Sequence, residues 1–568
     1  MKITKSVSKN SVTYYLSKSV RINGKSTTIT IERIGSEAEV KERAGDMDFE
    51  QWLKAYARER TMQEKKENAE IILRYSPAKQ IETGKQSRVN VGYLFFQALY
   101  YELGLQKICS EITKKYKYEF NLNSVLKNLI YTRILYPGSK ASALELSRRF
   151  LERPNCELQH IYRGLEVLCK EDDFIQSKLF RNSERVIARK KRILYYDCTN
   201  YYFETEEEDE IRKYGMSKEH RPNPIVQMGL FMDSEGIPLS FSIFSGNESE
   251  QQSLKPLEKK LLSDYGLDEF VVCTDAGLGS LENRKFNDRF GRKFITTQSL
   301  KKLKGFLQDF ALGKDGWQLV GSDEIYHLDD IDEDMYKDET FYKERWINEN
   351  GFEQRLIVTY SIKRKQYQRW VRSGQIDKAE SAIQTGKIRE ASQSSYKRLI
   401  HTEYCTAEGE TAEKSVRNLA ISKIEKEEQF DGFYAVCTNL EVSAANIIRI
   451  NQNRWQIENC FRLMKSELKA RPVYLSRKDR ILAHFQTCFI ALIIFKVLES
   501  KLHHKFSAQE IISTLREMDM QFNAGYGYIP IYTRTELTDA LHDAFGFRTD
   551  RQIVPIAQMK RICSKTKE

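Results

Sequence analysis

The sequence predicts an α/β protein: a central mixed sheet flanked by helices, broken by a mainly β insertion, with helical regions towards both ends. Three observations predict it. Between residues 186 and 296, short apolar runs bounded by turn residues alternate with helical patterns. Residues 297–430 change to aromatic-rich segments that alternate polar and apolar. Residues 90–180 and the last hundred residues carry apolar side chains three to four apart, the spacing of one helix face.

Composition bounds the reading. A chain of 568 residues predicts about three to five domains. With 40% hydrophobic and 30% charged residues it has the make-up of a globular protein and not of a disordered one. Gly 28 and Pro 10 exclude collagen-like and Pro-rich architectures. The formal charge of +11 points to a polyanionic partner. Ten scattered cysteines form no C-x-x-C pair, so neither a zinc finger nor a disulfide framework is expected, and a reducing cytoplasm fits. The first residues, MKITKSVSKNSVTYYL, lack the apolar core of a signal peptide. The longest apolar stretch, CFIALIIF at 488–495, is too short for a bilayer, which needs about 20 residues, and reads as a buried core helix. No membrane association is expected.

The elements follow in order. Residues 1–85 alternate as strands around Asn23-Gly24, a hairpin signal, and then become a charged helix. Residues 86–185 read as all-helical. In 186–296, VIARKKRILYYDCTNYYFE holds a basic run and an apolar strand ending in Asp197. VQMGLFMDSEGIPLSFSIF is a hairpin turning at Asp233 to Gly236. A helix from Ser249 to about Tyr265 precedes EFVVCTDAGLG, a strand ending in Asp275. A helix from Ser280 to Phe290 and the strand KFITT complete the order strand, hairpin, helix, strand, helix, strand. The insertion at 297–430 also holds a charged helix from about Lys363 to Ile388. In 431–500 a strand, FYAVCTN, leads to one helix over 451–472. Residues 501–568 are read as helical, a region where two chains could pair.

Three acids carry the chemistry. Asp197 and Asp275 each end a strand, and Glu458 lies in the patterned helix, 78 and 183 residues apart along the chain. A strand-end Asp is ordinarily a turn or cap residue. Three carboxylates converging on one point would instead repel one another, and a divalent cation removes that repulsion. Hard oxygen ligands suit Mg²⁺ or Mn²⁺, and two such ions can activate a water and stabilise the leaving oxygen of a phosphodiester. The acidic run from Glu204 to Glu210 reads as a solvated loop.

The helix adds a second signal. Arg454, Glu458 and Lys465 share one face at 100° per residue. An i,i+4 ion pair on an exposed helix is the plainer explanation. Yet from Arg449 to Arg480 nine Arg or Lys face three acids, a net +6 within a chain total of +11. A cationic surface around one carboxylate suits an enzyme of phosphate backbones.

With these residues in view, the sequence resembles bacterial insertion-sequence transposases of the DDE type, and most of all the IS-four superfamily with its Y-x2-R-x3-E-x6-K helix. RWQIENCFRLMK supplies Arg454, Glu458 and Lys465 at those offsets; YYDCTNYYFE and CTDAGLGS resemble the segments of the first and second Asp. One position departs: the family tyrosine is Asn451, which can donate a hydrogen bond to phosphate but has less reach and no ring. The resemblance covers about residues 190–300 and 430–500. It implies an RNase H-like catalytic core with a β-rich insertion before the Glu helix. It implies two Mg²⁺ ions, with Mn²⁺ able to substitute, held by Asp197, Asp275 and Glu458, and Arg454, Lys465, Asn451 and Arg462 on DNA phosphates. The partners implied are terminal inverted repeats, bound by residues 86–185 and the N-terminal region, then target DNA, with a homodimer in the DNA complex. The setting implied is the bacterial cytoplasm at the nucleoid. The reaction implied is cut-and-paste: nicking, a hairpin on the end, reopening, and joining of the 3′-OH to target. Trp455, Trp317 or Trp346 could stack a displaced base, although large rings more often serve packing. Lys218, His220 and Arg221 in SKEHRP would support the site or meet DNA, as a surface loop also explains.

Two other readings share these residues: a metal-dependent nuclease of the same core without strand transfer, and a repurposed transposase that binds DNA without cutting. The basic helix and long insertion speak against the first, the three intact acids against the second.

Overall fold

The computed structural model describes residues 1–8, 11–22, 25–67, 71–73, 75–78, 80, 82–84, 86–267, 269–289, 291–386, 395–405 and 411–568. The chain forms two compact units, Met1–Lys85 and Gln86–Glu568.

In the first unit, β1 (Lys2–Ser8), β2 (Ser11–Ile22) and β3 (Lys25–Ser36) form an antiparallel meander in that order. The expected turn residues Asn23 and Gly24 lie outside the described residues. Helices α1 (Glu37–Ala44) and α2 (Phe49–Glu67) follow. Ser36 and Glu39 close a reciprocal capping box at the start of α1. Leu16, Ile34, Val40, Leu53 and Ala57 form the core of this unit.

The second unit opens with β4 (Arg88–Asn90) and six helices: α3 (Tyr93–Glu102), α4 (Leu105–Lys115), α5 (Leu122–Leu135), α6 (Lys140–Ser147), α7 (Leu158–Lys170) and α8 (Asp172–Val186). The sheet elements then appear in the expected order. They are β5 (Ile193–Tyr202), the hairpin β6 (Ile225–Asp233) and β7 (Pro238–Ser245), α9 (Glu250–Tyr265), β8 (Val271–Thr274), α10 (Leu281–Asn287) and β9 (Lys293–Gln298). Their spatial order is β7-β6-β5-β8-β9, antiparallel across β7, β6 and β5 and parallel across β5, β8 and β9. This is a mixed sheet flanked by helices, the architecture expected of an RNase H-like core.

The region 297–430 holds α11 (Gly305–Leu312), β10 (Trp317–Leu319), β11 (Ile325–Tyr326), β12 (Phe341–Glu349), β13 (Phe352–Tyr360), α12 (Ile362–Thr385), β14 (Ile400–Cys405), β15 (Thr411–Leu419) and α13 (Ile421–Glu428). Four of its strands do not form a sheet of their own. β13 pairs antiparallel with β16 (Phe433–Thr438), which pairs with β9, so β10–β13 extend the core into a ten-stranded sheet. Backbone pairing explains it: β16 would otherwise be an exposed edge. Only β14 and β15 form a separate ribbon.

The basic segment is two helices rather than one. α14 (Ala444–Gln452) and α15 (Trp455–Ser466) meet at Asn453 and Arg454. There the bonds tighten to three residues, Arg454 N–H to Asn451 O and Ile457 N–H to Arg454 O. α15 also stops six residues short of the expected end. α16 (Lys478–Lys501) is long and apolar enough to cross a membrane by length and composition, but every residue from Ala483 to Leu498 is buried in the protein. It packs on α3, α5, α7 and β7 and is the central rod of the largest core. The last residues form α17 (Ala508–Glu517), β17 (Asp519–Asn523), β18 (Gly527–Pro530), α18 (Glu536–Phe545), β19 (Val554–Pro555) and α19 (Ile556–Lys565). The end of the chain is thus mainly helical, with three short strands that the sequence reading did not include. β17–β19 join β4 in a four-stranded sheet, strands too short to show a period in sequence.

Candidate active site

Alternation along β5 decides which way Asp197 faces. Leu194, Tyr196 and Cys198 pack into the core under α9. Tyr195 and Tyr201 pack into the core that holds Ile457, Cys460 and Phe461 of α15. Asp197, odd-numbered, therefore shares the α15 side. β5 does not end at Asp197, as the sequence reading expects, but runs on to Tyr202 against β6. It is the pairing with β8 that stops there: the last pair is Tyr196 with Thr274. The next residues on the two parallel chains are Asp197 and Asp275. The two carboxylates thus stand side by side where β8 ends, at the carboxyl edge of the sheet, the usual ligand position in open α/β sheets.

The electrostatics match this placement. Burial pushes the Asp197 carboxyl up to about 6, and the charge of Asp275 adds to the rise. Lys218, the Cys198 N–H bonded to Asp197 Oδ1 at 2.7 Å, and Arg454 oppose it. Asp275 is 50% exposed at its side chain and accepts from its own Ala276 N–H at 2.6 Å. Arg454 Nη1 is 3.7 Å from Asp275 Oδ1 and donates to Thr297 Oγ1 at 3.1 Å. Its Nε is buried with no partner among the described residues.

A cavity of about 470 Å³ opens beside Asp275. Arg454, Asn451, Trp455 and Glu458 line it from α14 and α15, Tyr434 from β16, and Arg364 from the first turn of α12. Glu458 is exposed, in the first turn of α15. Asn451 Nδ2 donates to the Tyr434 hydroxyl at 3.2 Å, and that hydroxyl is 2.6 Å from Thr297 Oγ1. The Arg364 guanidinium lies 4.7 Å from the Tyr434 ring centre. The sequence reading missed Thr297, Tyr434 and Arg364. The strand period could have flagged the first two once one neighbour was oriented: Ile295 and Val436 face the α15 side, and Thr297 and Tyr434 are two residues away.

Lys465 sits deeper. It is 3.1 Å from Glu219, and burial, with Lys218 nearby, pulls its ammonium down to about 8 against the pull of Asp197. Lys218 pairs with Glu250 at 2.9 Å. Arg462 is not drawn into the cavity: it is exposed and donates to Asn459 of its own helix. Trp317 is fully buried, packed on Tyr360 and Phe433, so it cannot meet a base. Trp346 and Trp455 are exposed.

The paired Asp carboxylates fit a hard divalent cation by donor type and mutual repulsion. Glu458 stands at the same cavity but is not closed onto them. Among the described residues no three His, Cys, Asp or Glu side chains cluster closely enough to hold a metal ion.

The transposase DDE domain profile matches residues 188–376 and 379–494. The chain belongs to the transposase DDE domain family. The match spans the sheet from the strand of Asp197 into the buried rod α16, and both sides of the cavity fall within it. This transposase-family chain is also similar to the piggyBac transposase in a cryo-EM synaptic complex with hairpin DNA. The likeness has 8% identity and a TM-score of 0.36, over 84% of this chain and 85% of that one. No curated protein sequence matches it significantly.

Proposed function

We propose that this chain is a DNA transposase of the IS-four type that cuts the ends of its element with divalent metal ions and joins the freed 3′-OH to target DNA. The observation that carries the reading is the side-by-side placement of Asp197 and Asp275 at the end of β8, beside a cavity walled by Arg454, Arg364 and Glu458. Asp197 and Asp275 would hold the metal, two Mg²⁺ in the full site, with Glu458 of the same cavity as the third carboxylate. Bound Mg²⁺ or Mn²⁺ supplies an activated water and stabilises the leaving oxygen. Arg454, fixed by Thr297, and Arg364, stacked on Tyr434, grip phosphates next to the cut. Asn451 reaches the same wall through Tyr434. Lys218 and Lys465 offset the charge of Asp197 from behind. The helical region at 86–185 and the first unit read the terminal repeats, and two chains bind the paired ends, in a bacterial cytoplasm.

The test is cleavage of labelled DNA carrying the element's own ends, read from the DNA flanking the reading frame. The expected result is a nick at the end that requires Mg²⁺ or Mn²⁺ and is abolished, with binding kept, in Asp275→Asn and Glu458→Gln. Specific binding with no nick in any divalent ion would overturn the enzymatic reading. A nick that survives Glu458→Gln would remove that residue from the site.

A further inference from the structure

A second cavity, of about 230 Å³, lies between the end of α5, the first turn of α6 and the segment that follows α15. None of its lining residues lines the cavity at Asp275. Its charged lining is Arg133, Lys140, Lys469 and Arg471; His484, Tyr162 and Tyr474 are its other titratable groups, and it has no carboxylate.

Two of these cations are deeply buried. Arg133 is 5% exposed and Lys140 6%. Arg133 Nη1 donates to the carbonyls of Leu468 and Lys469 at 3.3 and 3.2 Å, and its Nε has no partner among the described residues. Lys140 Nζ lies 3.3 Å from His484 Nδ1. His484 Nε2 lies 3.0 Å from the Ala470 carbonyl, which can only accept, so Nε2 carries the ring hydrogen and Nδ1 presents its lone pair to Lys140. A neutral imidazole satisfies one ammonium hydrogen and cancels no charge. Burial and the neighbouring Arg133 pull the Lys140 ammonium down to about 7. Burial, with Lys140 and Arg133, holds His484 well below the usual imidazole range.

Two buried cations without a counter-charge are costly to keep. The first turn of α6, capped by Ser139, adds the positive end of a helix. Lys469 stands exposed among the lining residues. Arg471 pairs with Glu219, which also holds Lys465. Donors and charge at the cavity have one sign, and a compact anion such as phosphate matches them in charge and hydrogen bonding.

We propose that this cavity is a phosphate-binding site, taking a phosphate group of a DNA backbone or free phosphate. It rests on the cavity alone and not on the reading of the Asp275 site.

The probes are inorganic phosphate, sulfate and a labelled end duplex, applied to the full chain in chelator so that no cleavage occurs. Saturable phosphate binding is expected by calorimetry and by a rise in melting temperature. It weakens at least tenfold in Lys140→Met and several-fold in Lys469→Ala, whose exposed side chain carries no folding risk, and is unchanged in Asp275→Asn. If the phosphate is DNA's, Lys140→Met also lowers duplex affinity and reduces the salt slope by about 1, and free phosphate competes with the duplex in the unaltered protein. If it is a free ion, duplex affinity is the same in both. Equal phosphate affinity in the unaltered chain and both lysine variants, or no saturable effect of phosphate, sulfate or duplex that depends on Lys140, overturns the proposal. Failure of the separate Mg²⁺ cleavage assay, with phosphate binding intact, would sink only the cleavage reading.

Discussion

At the scale of single residues, the two cavities use charge in opposite ways. Asp197 is a half-buried anion beside a second anion, with Lys218 and Arg454 opposing the rise of its pKa. Lys140 is a buried cation beside a second cation, with no acid in its cavity. Lys140 sets a pH dependence whose sign can be worked out. Its pKa is lowered from an ordinary 10.5 to about 7 in the fold, by burial and then Arg133, against Cys488. Between about 7 and 10.5 the unfolded chain binds more protons than the folded one, so stability rises with pH there. Below 7 both states are charged and the full penalty applies. Lys140→Met should therefore raise the melting temperature most near pH 6.5 in phosphate-free buffer. The gain over the unaltered protein should shrink by pH 9.5. A gain that grows with pH would mean that Lys140 is not the buried cation described.

At the scale of elements, the sequence is most readable where one period rules. The alternation of strand, hairpin, helix, strand, helix, strand across 186–296 is legible because each run is short, apolar and closed by a turn. It is least readable where pairing, not propensity, decides. Nothing in YYDCTNYYFE says that β5 outruns β8, because the length of a neighbour is a tertiary fact. The extension of the core sheet by β10–β13 is hidden for the same reason, and β17–β19 are too short to show a period. The apolar run CFIALIIF marks only a third of α16. The buried stretch runs from Ala483 to Leu498 and takes in His484, Gln486, Thr487 and Lys496, polar residues that sequence reading leaves outside. That rod makes an element-scale prediction. Phe489 is fully buried and its ring centre lies 4.8 Å from that of Phe241 in β7. Phe489→Ala should cost about 3–5 kcal/mol of unfolding free energy, by lost transfer and by the cavity left. Urea unfolding followed by circular dichroism measures it. A loss below about 1 kcal/mol would place α16 outside the cooperative core.

At the scale of the whole molecule, the site is an assembly that no local window contains. Asp197 and Asp275 are legible as acids near strand ends, and parallel pairing sets them side by side although 78 residues separate them. Arg364 comes from the helix that follows β13, and only the antiparallel β13–β16 ladder carries it to the cavity. What the sequence does carry to this scale is charge. The chain has a formal +11, and residues 449–480 hold a net +6 of it, spread over α14, α15, the lining of the Lys140 cavity and the start of α16. If that segment meets a DNA backbone, each phosphate contact releases a condensed counterion, and affinity must fall with salt. With six or more contacts the loss between 50 and 200 mM salt is about a thousandfold or more. Anisotropy of a labelled end duplex, in chelator, reads the slope. Affinity that stays flat over that range would mean that the positive segment serves the fold and not DNA, and the cleavage reading would then need another surface to hold its substrate.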